Sequence, residues 1–438
     1  MREAYKFSYY NVVLEIENGE VIGNTATGAI VFLDEKHKNL MNYLFNNSNA
    51  SEMPKFIKSM EKLGIIVPAY IDEKEKVIKK FEQRGNDEAL RLLILSTTSC
   101  NFDCVYCYEK FDNLDMSEEV EDAIIHFVGN QLNHVKHVRL TWFGGEPLLG
   151  LSSIKRISTK IQDACKSKSI DYLADIITNG YLLNPGTFSN LIDLGITRFT
   201  ITIDGLAEFH NARRPLKGGK PTFDRIAKNL RAIANLEGKF TVMIETNFDK
   251  DSVKSLPNFL RWFQINFGGD HRFFIYFRST HSSGSDEEDK KISFCSLEER
   301  NQTILKLLDW SIKNNMNQFL RNSIFSWPRS SYCEAQLPNY FIIQPDGSVS
   351  KCTAMMGPED RVGWLKKSGE IEFNKKPHHY LSLSYPNDEE CLQCIFLPVC
   401  HGGCPIVRDK GRKVCMYSIP LAKKALEYIY HTKMKKGK

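Results

Sequence analysis

The alternation of apolar and polar positions changes rhythm twice along the chain. Near the start, 8–16 (SYYNVVLEI) and 27–33 (TGAIVFL) have the apolar spacing of short strands, flanking the turn-rich stretch ENGEVIGNTA. Residues 34–46 and 51–63 repeat their apolar positions at helical spacing, and GIIVPAY closes the segment as a short apolar run. A small α+β module is expected, followed by a charged helix or linker, EKEKVIKKFEQRGNDE. Nothing in the module has a catalytic pattern, so it reads as a structural cap or a binding module.

From residue 90 the rhythm becomes β-rich runs separated by amphipathic helical stretches. The runs are RLLILS (91–96), VRLTWFGG (138–145), LADIITNG (173–180), RFTITIDG (198–205), KFTVMIETN (239–247) and RFFIYF (272–277). Helical patterns lie between them, for example at 117–132, 152–165 and 221–236. Strand alternating with helix predicts parallel βα units, as a partial barrel or an open doubly wound sheet. In both, chemistry collects at the carboxyl ends of the strands. The unusual stretches fall there: a cysteine loop after the first run, GGEP (144–147) after the second, TNG (178–180) after the third and DG (204–205) after the fourth. A polar surface loop (THSSGSDEEDKK, 280–291) and a helix at roughly 296–318 follow. The remainder is turn-rich with a small core, so metal ligation is expected to supply much of its folding energy.

Composition narrows the reading. Hydrophobic residues make up 42% and charged residues 25%, enough for globular cores, and a net charge of +5 is too mild to imply a nucleic-acid partner. The basic end HTKMKKGK reads as a solvated tail. The start, MREAYKFSYYNVV, lacks the apolar run of a signal peptide, and no stretch approaches the ~18–20 apolar residues of a membrane span. A cytoplasmic protein with no membrane or nucleic-acid partner is expected. Disulfides are rare in that compartment, so the 12 cysteines need another explanation. Three lie in 100–107, and seven in 333–415: Cys333, Cys352, Cys391, Cys394, Cys400, Cys404 and Cys415. Cys165 and Cys295 stand apart and read as ordinary packing residues.

In SCNFDCVYCYEK, Cys100, Cys104 and Cys107 are separated by three and then two residues. A structural zinc site would need a fourth ligand at finger-like spacing, and the next histidine, His126, is inside a helical pattern. A CVYC redox pair would leave Cys100 without a role. Three thiolates could instead hold a 4Fe–4S cluster with one iron open to an outside ligand.

At this point the sequence resembles a family. CNFDCVYC, with Tyr106 before its third cysteine, resembles the C-x3-C-x2-C loop of radical S-adenosylmethionine (SAM) enzymes, and GGEP, TNG and TIDG follow in that family's order. The seven later cysteines resemble the SPASM extension of such enzymes, spacing for spacing; a zinc ribbon could use CLQC but not the other five. The resemblance implies a partial (β/α)6 TIM-like barrel over 86–310. It also implies a small winged-helix-like, leader-recognition module over 1–85 and a SPASM domain with two auxiliary clusters over 311–438. It further implies that Cys100, Cys104 and Cys107 hold the catalytic cluster. Gly144, Gly145 and Glu146 would meet the methionine end of SAM, with Thr178 and Asn179 in the pocket. Thr202, Asp204 and Asn247 would lie toward the ribose and Tyr106 toward the adenine; where relatives often have an arginine before the asparagine, this chain has Glu245.

Cys333, Cys352 and Cys404 would hold one auxiliary cluster, left with an open iron because SIFSWPRSSY (323–332) offers no cysteine. Cys391, Cys394, Cys400 and Cys415 would close the other. The implied cofactors are three 4Fe–4S clusters and SAM. The implied partners are a precursor peptide with its leader and an electron donor such as flavodoxin or ferredoxin. The implied activity is cross-linking of a ribosomally made peptide, a thioether before a carbon–carbon or carbon–oxygen bond. Formylglycine formation on sulfatases is the main alternative, and a non-catalytic iron–sulfur protein is less favoured. Thr353 stands where sulfatase-maturing relatives place an aspartate. Glu245 and His401 are the candidate bases.

Overall fold

The structure, a computed structural model, describes residues 5–46, 54–83, 88–107, 109, 113–280, 292–319, 333–374 and 388–434. All but the first residue of the expected polar loop at 280–291, the cysteine-free stretch 323–332 and the last four residues lie outside this set. The chain divides into two compact units: unit one is 1–86, 301–333 and 379–438, and unit two is 87–300 and 334–378. Three consecutive domains are expected from the sequence, whereas both units are assembled from separated stretches.

Unit one begins with β1 (Tyr5–Phe7), which pairs antiparallel with β5 (Ile66–Pro68). Between them β2 (Asn11–Ile16), β3 (Gly19–Asn24) and β4 (Ile30–Asp34) form an antiparallel sheet in that order. The turn-rich stretch of the sequence reading therefore contains a whole strand. Ile16 faces Gly19 across a two-residue turn, and Gly19, at φ 140°, lets β4 approach where a Cβ would lie 2.0 Å from the Leu33 carbonyl oxygen. Helices α1 (Glu35–Asn46), α2 (Pro54–Lys62) and α3 (Glu73–Glu82) follow, α3 capped by Asp72 accepting from the Glu75 amide.

Two small cores hold this unit. Ile22, Leu33, Met41, Met60 and Ile65 pack between the sheet and α1–α2. Tyr10, Val77 and Phe81 pack with Cys391 and Leu397 from the far end of the chain. Thr25 Oγ1 donates to the Ile395 carbonyl at 2.5 Å, and the Tyr9 hydroxyl donates to the Gln393 carbonyl. The helix near the C-terminus, α11 (Ile419–Ile429), packs on β2 and β3. The amino-terminal module and the last cysteine-rich segment are thus one folded body.

In unit two, β6 (Ala89–Thr97), β7 (His137–Gly144), β8 (Asp171–Thr178), β9 (Ile196–Thr202), β10 (Thr241–Phe248) and β11 (Phe273–Ser279) are parallel neighbours in sequence order. No reversal of order occurs among them, so they wind as a partial barrel rather than a doubly wound sheet. Helices α4 (Glu118–Gln131), α5 (Leu151–Ser167), α6 (Pro185–Asp193), α7 (Ala207–Arg213), α8 (Phe223–Ala234) and α9 (Leu256–Phe267) return the chain between strands; α10 (Leu297–Lys313), after β11, belongs to unit one from residue 301 on. Alternation decides each face. In β7, Val138, Leu140 and Trp142 are buried, and Trp142 Nε1 donates to Ser158 Oγ of α5 at 3.1 Å. Cys165 is fully buried in α5, the packing role expected of it.

The edge of β6 is not left open. β12 (Tyr340–Ile343) pairs parallel to it, and β13 (Ser348–Ser350), β14 (Gly363–Leu365) and β15 (Ile371–Phe373) continue as an antiparallel meander. Leu93 and Leu95 share a core with Leu337, Tyr340, Ile342 and Met356. Pairing an exposed strand edge and burying these side chains explain why 334–378 joins the barrel's unit rather than the cysteine-rich one.

Candidate active site

The cysteine loop leaves the carboxyl end of β6 and is held from two sides. On one side is GGEP. A Cβ on Gly144 would lie 2.2 Å from the Thr97 carbonyl oxygen, and one on Gly145 would lie 2.4 Å from that of Ser99. The two glycines therefore let β7 close against the chain's own backbone, whatever else approaches them. The Glu146 amide donates to the Ser99 carbonyl at 2.9 Å. The Glu146 side chain is fully buried and turned toward β8: Thr178 Oγ1 donates to Oε1 at 2.6 Å and the Asn179 amide to Oε2 at 2.8 Å. Burial raises its pKa and these bonds oppose the rise. Asn179 Nδ2 then reaches Asn101 Oδ1 at 2.8 Å, which ties β8 back to the loop.

On the other side is a segment that the sequence reading did not single out. Residues 213–217, just after α7, run antiparallel to 101–105. The Val105 amide donates to the Arg213 carbonyl at 3.0 Å, Asp103 to Pro215 at 2.9 Å, and Lys217 to Asn101 at 2.9 Å. Phe102 bridges Leu216 in the same register. A ladder joining positions more than a hundred residues apart leaves no periodicity to read; the adjacent arginines of ARRP were the only signal.

Behind this ladder is a buried polar network. The Tyr106 hydroxyl donates to Asp204 Oδ2 at 2.5 Å and accepts from Arg214 Nη1 at 2.7 Å and Asn247 Nδ2 at 3.4 Å. The Asn247 amide donates to Asp204 Oδ1 at 3.2 Å. Arg213 pairs with Asp249 and lies 3.5 Å from Asp204. The Asp204 amide donates to His210 Nδ1 at 3.2 Å, which puts the ring proton on Nε2; burial keeps this histidine neutral. The network joins Tyr106, Asp204 and Asn247 and adds Arg213, Arg214, Asp249 and His210, none of which the sequence reading named. Asp204 is fully buried and both its oxygens are engaged within the chain. Thr202, buried at the end of β9, is paired in register with Glu245 on β10. Glu245 accepts from the Tyr276 hydroxyl and from Arg278 Nη1 at 3.4 Å, so a cation faces this carboxylate from β11.

Residues 94–263 match the family model described as the radical SAM superfamily. That stretch is a radical SAM domain. The enzyme is 23% identical to a cysteine-type anaerobic sulfatase-maturating enzyme of Clostridium perfringens over 73% of this chain and 90% of that protein. Its fold is similar to the solved structure of native anSMEcpe with bound AdoMet and Cp18Cys peptide. That match has a TM-score of 0.60 and 20% identity, covering 79% of this chain and 98% of that one. It is also similar to Streptococcus suis SuiB bound to precursor peptide SuiA, with a TM-score of 0.54 and 16% identity, covering 95% of this chain and 99% of that one. No helix among the described residues is long and apolar enough to cross a membrane.

A radical SAM domain implies a 4Fe–4S cluster and SAM, and the donor set of the loop fits a cluster. Among the described residues no three His, Cys, Asp or Glu side chains converge closely enough for a single metal ion. Burial pushes the Cys100 thiol up to about 11, so a cationic group is needed to hold it as thiolate at neutral pH. The Phe102 amide donates to Cys100 Sγ at 3.4 Å, the kind of N–H···S bond that supports cluster thiolates.

In unit one, Cys391, Cys394, Cys400 and Cys415 line one cavity of about 50 Å³ with Phe396 and Tyr417. The same N–H···S bond recurs, Phe396 N to Cys394 Sγ at 3.4 Å, and burial together with the neighbouring thiols pushes Cys400 up to about 12. Three successive residues, His401, Gly402 and Gly403, have φ of 44°, 83° and 86°, which turns the chain sharply after Cys400. His401 is itself buried against the Phe81 ring at 5.4 Å, a packing position. Of the remaining trio, Cys333 and Cys404 belong to unit one and Cys352 to unit two.

Proposed function

We propose that the enzyme matures a ribosomally made precursor peptide, abstracting hydrogen and installing an intramolecular cross-link, a thioether in preference to a carbon–carbon or carbon–oxygen bond. When bound and reduced, the cluster and SAM supply an adenosyl radical that removes hydrogen from an unactivated carbon. Cys100, Cys104 and Cys107 hold that cluster, and the ladder with 213–217 fixes the loop that carries them. Gly144, Gly145 and Glu146 shape the methionine end of the SAM site, with Thr178 and Asn179 keeping the Glu146 carboxylate oriented. Tyr106, Thr202, Asp204 and Asn247 form the nucleoside side. Cys391, Cys394, Cys400 and Cys415 hold an auxiliary cluster. A flavodoxin or ferredoxin supplies electrons, and the protein works in the cytoplasm.

The observation that carries the peptide reading is the amino-terminal module. Its sheet and helices share a core with the segment that carries Cys391, as expected if leader capture and an auxiliary cluster belong to one body. The likeness to SuiB takes in 95% of the chain, module included, against 79% for anSMEcpe. Such a module captures an extended leader by adding a strand to a sheet edge. The second reading, formylglycine formation, is favoured by the likeness to sulfatase-maturating enzymes. Anaerobic reaction with the short peptide encoded beside this gene, followed by mass spectrometry, separates the two: a cross-link removes two hydrogens, keeps sulfur and leaves no aldehyde, while formylglycine from cysteine loses the sulfur and formylglycine from serine leaves an aldehyde that a hydrazide traps. A peptide returned unmodified, or one that loses sulfur, would defeat the first reading. Hydrogen exchange tests the leader site without deleting the module, which would strip Tyr10, Val77 and Phe81 from their shared core. Absence of new protection anywhere in 5–83 on adding the leader would remove that part.

A further inference from the structure

The ladder over the cysteine loop has a register, and the register puts two particular side chains together. Its hydrogen-bonded pairs are 101 with 217, 103 with 215 and 105 with 213. The alternating pairs, 102 with 216 and 104 with 214, are therefore non-hydrogen-bonded pairs, in which facing side chains lie on one side of the ladder at closest approach. Cys104 thus faces Arg214. Arg214 is buried at 9% exposure, its guanidinium lies 5.9 Å from the ring centroids of both Phe102 and Tyr106, and those residues flank Cys104 in the loop. Nη1 is anchored on the Tyr106 hydroxyl, while Nε has no hydrogen-bond partner among the described residues. The neighbouring charges are otherwise committed: Arg213 to Asp249 and Asp204, and Asp204 to Tyr106 and Asn247.

We propose that Arg214 is a positioning residue that sets the reduction potential of the cluster held by Cys100, Cys104 and Cys107, its buried cation favouring the more negative, reduced state. The inference rests on the reading that this loop holds the cluster. A fixed charge close to a thiolate ligand in a poorly solvated site is among the strongest levers on such a potential. Tyr106 aims the guanidinium, and Asp204, reached through the same hydroxyl, attenuates it. A residue that merely braced the loop would give no sign to these effects. An electrostatic one gives opposite signs for loss of the cation and loss of the anion.

The test is a redox titration of the full-length, anaerobically purified enzyme without SAM. It follows by paramagnetic resonance the reduced-cluster signal that SAM alters and Cys104→Ala abolishes. Arg214→Gln is expected to lower the reduced-to-oxidised ratio at fixed potential about tenfold, roughly 59 mV for a one-electron couple. Arg214→Lys should recover most of that loss, and Asp204→Asn should move the ratio the other way. An Arg214→Gln enzyme with a full signal and an unshifted midpoint overturns the proposal. If that variant does not retain the signal, Asp204→Asn decides: a raised midpoint supports the proposal and an unchanged or lowered one overturns it. A signal that survives Cys104→Ala would instead bring down the cluster assignment itself.

Discussion

The cysteine loop at 100–107 and the four-cysteine cavity at 391–415 present the same side chain on different kinds of support. The loop sits at the end of β6, clamped by GGEP on one side and by the 213–217 ladder on the other, with a buried charge network behind it. All of that is held by hydrogen bonds and ion pairs within the chain. The cavity is made of short turns, three left-handed residues and a small apolar core. Both use an N–H···S bond from a phenylalanine two residues on, so the local chemistry of the ligands is alike. The difference lies in the support: on the proposed reading, the loop would use a cluster while the segment would also fold on one.

The sharpest way to break this comparison is to remove one thiol from each. Cys100→Ala should reduce SAM cleavage, read by chromatography of the nucleoside product, by well over the ~100-fold that outer-shell changes cost, with the melting profile of the barrel little changed. Cys400→Ala should instead loosen the segment itself. Amide exchange across 388–417 is expected to quicken at least about tenfold, the equivalent of ~1.4 kcal/mol, while β6–β11 keep their protection. Equal loosening of both regions in both variants would end the distinction.

Smaller effects sharpen it. Gly145→Ala forces a methyl against the Ser99 and Thr98 carbonyls at 2.4 and 2.6 Å. It should cost about 1–3 kcal/mol in denaturant unfolding, as overpacking does, and should impair cluster assembly on the loop even with every cysteine present. Gly403→Ala, at φ 86° with the Val414 carbonyl 3.3 Å from the new methyl, should cost only about 1–2 kcal/mol of backbone strain.

The smallest concerns the barrel alone. Asp175, on β8, is pushed from 3.8 up to about 6, chiefly by burial, with Thr141 and nearby arginines opposing the rise. A raised acid pKa means that the folded state holds the proton more tightly. Its contribution is fully present below about 4 and is lost as pH rises through about 6. Asp175→Asn should flatten the pH dependence of unfolding between those values, and an unchanged slope would show that another group carries it.

Much of this was legible from residue order. Each β-rich run from RLLILS to RFFIYF became a strand of the parallel sheet, because period-2 and continuous apolar runs report burial directly. The four cysteines at 391–415 line one cavity in the structure, a grouping that their close spacing in sequence favours. The strand hidden in ENGEVIGNTA was missed because a hairpin turn and a short, glycine-containing strand share one vocabulary. Arg213 and Arg214 were missed because nothing local marks an arginine whose partners arrive from a loop a hundred residues earlier.

The sequence alone determined the strand–helix alternation, the two cysteine groups and the family resemblance, all of which depend on neighbours along the chain. The tertiary structure decided that 334–378 extends the barrel sheet, that the first 86 residues share a body with the last cysteines, and that Glu146 and Asp204 spend their oxygens inside the protein. Those outcomes turn on which open edges and apolar faces find each other and which buried charges find partners. Such choices are made between segments far apart in the chain, so no stretch of sequence contains them.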